Sequence, residues 1–223
     1  MIPIIPAVVD GRRLRTWTLI FSGTGVTAEP TTDFRERVRG IVEECGKGTA
    51  VAVVDVNGLT QRMMDLRMIK KIKIRKAEIW LMTFVEDVGD VFDAFYMEID
   101  RLLIPYHSIV SENEMREIVR ISDKCIPAIF VEDGYAVSRT GREDVRSAVR
   151  RTKDTGFRSA AVLDVSGRYG PEDWGQILSE FDNMLLFTAR RSDDPMMSLK
   201  ELTPADAASG HDLAIPASLF PKA

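Results

Sequence analysis

Carboxylates stand where short apolar runs end: Asp10 after Ile5-Pro6-Ala7-Val8-Val9, Asp55 after Val53-Val54, and Asp164 after Val162-Leu163. Glu132 and Asp133 follow Ile126-Pro127-Ala128-Ile129-Phe130-Val131 in the same way. Two carboxylates set across a cavity are a minimal acid–base pair, one donating a proton while the other accepts one. His107 adds an imidazole, which titrates near neutral pH. Arg190 and Arg191, flanked by Thr188 and Ser192, offer the paired donors that suit phosphate or carboxylate. Each group also has a plainer reading. Asp-Gly at 10–11 and 133–134 is a turn signal, Asp55 and Asp164 can accept backbone N–H bonds from the loops they begin, His107 can be a hydrogen-bonded loop residue, and the Arg pair can bridge to Asp193 or Asp194. Arg168 and Tyr169, just past Asp164, are placed to close over a ligand.

The elements that must position these groups are written twice. Ile5-Pro6-Ala7 to Asp10-Gly11 is echoed by Ile126-Pro127-Ala128 to Asp133-Gly134, and Val53-Val54-Asp55-Val56-Asn57-Gly58 by Val162-Leu163-Asp164-Val165-Ser166-Gly167. A repeated supersecondary unit decides the architecture, and an apolar run ending in Asp-x-x-Gly reads as a buried parallel strand. The pattern predicts strands at 2–9, 49–56, 78–83, 102–106, 126–131, 159–165, 184–188 and 213–216. Helices are expected from Thr32 as cap to Cys45, then over 60–73, 86–97, 112–122, 142–155, 172–181 and about 196–202. The segment 12–22 alternates and reads as a hairpin excursion ending in the glycine turn Ser22-Gly23-Thr24-Gly25, which lacks the flanks of a nucleotide loop. Strands alternating with helices fit a single α/β domain over 1–223, a (β/α)₈ TIM barrel with half-barrels near 1–123 and 124–223 and the last helix short or missing. A doubly wound open sheet is the other solution but leaves the two matching halves unexplained. In such a barrel the chemistry lies at the C-terminal ends of the strands. A missing last helix leaves one strand's outer face uncovered and predicts a homodimer.

The formal net charge of -4 and pI near 5.4 supply no general attraction to nucleic acid or an anionic membrane. No apolar run approaches membrane-spanning length, and the N-terminus lacks a basic flank, so a cytoplasmic protein is expected. Cys45 and Cys125 are too scattered for a metal site and read as free thiols. The basic run Lys70, Lys71, Lys73, Arg75 and Lys76 reads as a solvated helix end.

The Ile-Pro-Ala opening strand, the Val-Asp-Val-Asn-Gly and Leu-Asp-Val-Ser-Gly-Arg-Tyr-Gly-Pro strand ends, and the closing Leu-Ala-Ile-Pro-Ala-Ser-Leu resemble the phosphoribosyl isomerase and cyclase barrels of histidine biosynthesis over nearly the whole chain. The likeness is strongest to the isomerase-related group with no assigned reaction. It implies an Asp at the end of each of strands one and five as acid and base for an aldose-to-ketose rearrangement, and phosphate held after strands three and seven, four and eight. Here the first Asp position falls on Val9, with Asp10 one place late and expected on the outer face. The second falls on Phe130, with Glu132 and Asp133 nearest. The segments Thr83-Phe84 and Pro105-Tyr106-His107-Ser108 are not glycine loops; Thr188 to Ser192 replaces consecutive glycines, and Ser218 follows Pro216-Ala217. The resemblance implies an isomerase-type enzyme, distinct from the histidine-pathway isomerase. It would act on a small phosphorylated, anionic metabolite by Asp and His acid–base chemistry, without metal or cofactor. The alternative is a non-catalytic barrel that binds a metabolite or a protein partner.

Overall fold

The structure, a computed structural model, describes residues 1–22, 25–74, 76–191 and 197–209, with side chains except those of 17–22, 25–32, 190, 191 and 209. In chain order the elements are β1 (Ile2–Asp10), β2 (Arg13–Ser22), β3 (Gly25–Asp33), α1 (Phe34–Cys45), β4 (Thr49–Asp55), α2 (Val56–Gln61), α3 (Leu66–Ile72) and β5 (Ala77–Met82). They continue with α4 (Val88–Tyr96), β6 (Arg101–Pro105), a 3₁₀ turn (Tyr106–Ser108), α5 (Glu112–Ile121), β7 (Cys125–Glu132), β8 (Tyr135–Ser138) and β9 (Gly141–Glu143). The last described elements are α6 (Val145–Asp154), β10 (Ser159–Asp164), α7 (Pro171–Glu180), β11 (Leu185–Arg191), β12 (Met197–Glu201) and α8 (Pro204–Ser209).

Eight strands close a barrel in the order β1-β4-β5-β6-β7-β10-β11-β12, with β12 returning to β1. The pairs from β1 through β11 are parallel. The eighth stave is not: β12 runs antiparallel to both β11 and β1. The helix expected near 196–202 is therefore a strand. Met197 and Leu199 alternate into the barrel interior while Ser198 and Lys200 take the other face, a period of two that a short apolar run conceals. The strand expected at 213–216 lies outside the described residues.

Two apolar layers follow from the alternation of side chains along each strand. One is drawn from strands alone and fills the barrel: Ile4, Val54, Met82, Leu103, Phe130, Leu163, Phe187 and Leu199 each represent one stave. The other lies between barrel and helices, where Val53, Leu81 and Val162 meet Phe34, Met68, Val91, Ile118, Val149 and Trp174. The helices turn periodic apolar faces to this layer, as α1 does with Phe34, Val38, Ile41 and Val42.

Helix starts are set by short polar side chains that satisfy orphan N–H groups. Asp33, one residue past the expected Thr32, accepts from Arg35 and Glu36. The single helix expected at 60–73 is two, because Arg62 takes a left-handed conformation (φ 54°) that ends α2 and Asp65 caps a new start for α3. The helix expected from Arg142 begins at Val145, and Gly141–Glu143 pairs with β8 instead.

Each half thus carries a strand, a hairpin, a helix and a strand ending in Asp. The first hairpin is β2–β3, where Ser22 faces Gly25, and the second is β8–β9. Among the described residues no helix is long and apolar enough to cross a membrane. Cys45 is exposed and Cys125 buried, both unbridged, and burial pushes the Cys125 thiol up to about 12.

Candidate functional site

Residue parity on the parallel strands determines which side chains reach the C-terminal end of the barrel. Val54 and Leu163 point inward, so Asp55 and Asp164, one place on, point outward into the layer under the helices. Both are buried and both are occupied. Asp55 Oδ1 accepts the Gly58 N–H at 2.8 Å, and Oδ2 accepts the Thr83 hydroxyl at 2.8 Å and the Asp65 N–H at 3.4 Å. Burial raises the Asp55 pKa above the ordinary carboxylate value, and these donors pull it back. Asp164 Oδ1 accepts from Ser166 N (3.0 Å), Ser166 Oγ (2.8 Å) and Gly167 N (2.9 Å), and Oδ2 from Tyr169 N (2.9 Å). The matched carboxylates hold the loops that they begin.

Asp10 differs from the expected outer placement. Counting from Ile4, it falls on the interior parity of β1, but the last β4 partner of β1 is Ala7, and residues 7–10 pair with β2. Asp10 ends the strand at a two-residue turn with Gly11 at φ 59°, is exposed, and pairs with Arg15 at 3.5 Å. Glu132 and Asp133 sit at the β7–β8 turn, whose central residues Asp133 (φ 55°) and Gly134 (φ 86°) are both left-handed. Arg142 reaches Glu132 at 3.1 Å and Asp133 at 3.3 Å, and Arg168 reaches Asp133 at 3.1 Å. The displaced acidic set is a partly exposed ion-pair cluster.

His107 does lie at the barrel end. It occupies the 3₁₀ turn after β6, and its ring packs on Phe130 with centroids 5.7 Å apart. Burial, with the positive charge of Arg62 in support, lowers its pKa and favours the neutral imidazole. Its Nδ1 is buried without a hydrogen-bond partner, and such an atom calls for an explanation. Around it the barrel end is apolar: Val56, Leu59, Val137 and Val165 pack on the interior cluster. Val137 comes from the β8–β9 hairpin, which Arg139 fastens to Glu86 at 3.2 Å and to the Ser108 carbonyl at 3.3 Å.

The expected phosphate donors divide. Thr188 lies between the inward Phe187 and Ala189, so it faces outward, buried, with Oγ1 unpartnered. Arg190 and Arg191 are not in a loop; their backbones continue β11 opposite Ser198 and Met197. Ser192 and Ser218 lie outside the described residues. Arg168 and Tyr169 line a cleft of about 310 Å³ with Gly134, Asp144, Arg146 and Asp173. Its carboxylates are engaged, Asp144 with Ser147 N and Asp173 with Gly170 N.

Sequence reasoning missed Arg62, Asn57, Thr83 and Gly58. Asn57 Oδ1 accepts the Val9 N–H at 2.8 Å, tying the loop after β4 to β1. A Cβ on Gly58 would stand 2.7 Å from Asp55 Cγ and 2.8 Å from Thr83 Oγ1. The Asp-x-x-Gly spelling was the available signal, since a glycine there leaves room for the carboxylate. Among the described residues no group of His, Cys, Asp and Glu forms a metal site. No family model matches the chain, and no curated protein matches it.

Proposed function

We propose that the chain is a barrel of the half-barrel-repeat type that binds a small anionic metabolite at the C-terminal ends of its parallel strands, where His107 and Arg62 meet the ligand. The observation that carries this reading is the buried Nδ1 of His107 at the barrel end, which has no hydrogen-bond partner; the positive charge of Arg62 acts on the same ring. A guanidinium supplies the charge for phosphate or carboxylate and a neutral imidazole a directional hydrogen bond. The resemblance to the phosphoribosyl isomerase barrels supports the same end of the barrel and favours a sugar phosphate as ligand class. Binding is preferred to paired-carboxylate catalysis because Asp55, Asp164, Glu132 and Asp133 each already serve a loop or an ion pair.

The test is a thermal-shift titration with inorganic phosphate and ribose 5-phosphate. A ligand at 100 times its Kd stabilises by about 2.7 kcal/mol. The shift is expected to vanish in Arg62→Ala and shrink in His107→Asn, while Arg146→Ala/Arg168→Ala retains it. No shift with either anion, or a shift lost only in the Arg146/Arg168 variant, overturns the assignment. His107 also favours a second, enzymatic reading, since a neutral imidazole is a competent general base. Solvent exchange of the C2 proton of an aldose phosphate, present in the wild type and lost in His107→Asn, would select it.

A further inference from the structure

Charge is segregated along the chain. Residues 1–76 hold 14 Lys and Arg against 8 Asp and Glu, a net of +6, whereas residues 77–134 hold 4 against 13, a net of -9. The boundary falls between α3 and α4, which pack side by side. On α3 the exposed line is Arg67 and Lys70, continued by Lys73 past its end. On α4 the exposed line is Gly89, Phe92, Asp93 and Tyr96, spaced i, i+3, i+4, i+7, the spacing of a helix contact face. Phe92 and Tyr96 are 57% and 83% exposed, although aromatic side chains are what interfaces concentrate at their centres.

We propose that the α3–α4 face is the contact surface of a two-fold homodimer. The occupant is a second copy of this chain because the surface is complementary to itself. A two-fold axis over the α3–α4 groove lays the basic helix of each copy on the acidic helix of the other, with Phe92 and Tyr96 buried between them. One such ion pair already crosses the boundary within the chain, Lys73 with Glu98. This face is on the outer side of the helices of the first half and is independent of the ligand reading above. It also differs from the strand-eight face from which the sequence predicts a dimer.

Sedimentation velocity and light scattering at micromolar concentration test it. The wild type is expected to be a dimer that weakens between about 0.05 M and about 0.5 M salt, as screening shortens the reach of the charges. Phe92→Ser/Tyr96→Ser is expected to be a folded monomer, as are Arg67→Glu/Lys70→Glu and Asp93→Lys when each is alone. Mixing the last two restores the dimer, because an isologous contact then pairs opposite signs at both of its halves. A monomeric wild type at low salt, a dimer indifferent to these substitutions, or a mixture that stays monomeric overturns the proposal. Far-UV circular dichroism spectra, expected to be unchanged by substitution at these exposed positions, separate dissociation from unfolding.

Discussion

The loops begun by Asp55 and Asp164 are spelled alike and end corresponding strands of the two halves, yet they are held differently. Asp55 is fastened across elements: Thr83 from the end of β5 donates to it, Asp65 at the start of α3 donates to it, and its neighbour Asn57 reaches back to Val9 of β1. Asp164 draws all of its donors from residues 166, 167 and 169 of its own loop. The glycines differ as well. Gly58 is required by close approach, since a Cβ would strike the Asp55 carboxylate, whereas Gly167 is required by its backbone, at φ 65°. One sequence pattern is therefore retained by two local solutions to the same problem, satisfying backbone N–H groups at a strand end, and the repetition of an aspartate is no sign of a shared catalytic role.

The largest expected effect separates the two aspartates. Asp55→Ala orphans a buried N–H and a buried hydroxyl and is expected to cost about 3 kcal/mol, against about 2 kcal/mol for Asp164→Ala, whose donors are half-buried and open to water. Urea denaturation of both measures this, and equal losses would break the contrast. The glycines sharpen it further. Gly58→Ala is expected to cost about 2 kcal/mol in the wild type but less than about 1 kcal/mol in an Asp55→Ala/Thr83→Ala background, because both groups that the added Cβ would strike are then gone. Gly167→Ala is expected to cost about 1–2 kcal/mol in either background, because its penalty lies in the backbone. Smaller again, Asn57→Ala and Thr83→Val should each lose about 1 kcal/mol from ties that the second loop lacks.

The smallest effect concerns His107, which belongs to neither loop. Its folded pKa lies below the ordinary 6.5, so the unfolded chain binds its proton first as pH falls. The favourable burial of the neutral ring is fully present above pH 6.5 and is lost as pH drops toward the folded pKa. Melting midpoints of wild type and His107→Gln should therefore converge, or cross, on acidification through that window, and parallel pH profiles would remove the buried neutral ring from the account.

Much of the barrel was legible in advance because its strands are buried on both faces and so appear as uninterrupted apolar runs bounded by turn residues. The runs before Asp55 and Asp164, the α4 and α5 helices and the first strand of the excursion after β1 could be read locally, but the returning strand Gly25–Asp33 could not. What depended on alternate faces could not. Whether Asp55 looks toward the axis or the helices turns on a one-residue parity that only the closed barrel defines. Met197–Glu201 reads as helix or strand until a neighbour supplies the ladder.

Composition and pattern by themselves determined that this chain alternates strands with helices, writes one strand–helix–strand unit twice, and places a carboxylate at the end of several strands, because those features rest on nearest-neighbour chemistry. Tertiary structure decided the rest. It sets β12 antiparallel between β11 and β1, turns Asp55 and Asp164 away from the barrel axis, and leaves the His107 ring beside Phe130. It also brings a basic helix against an acidic one with two aromatic rings outside. Each of these depends on residues distant in sequence meeting in space, and no short window of the chain contains both partners.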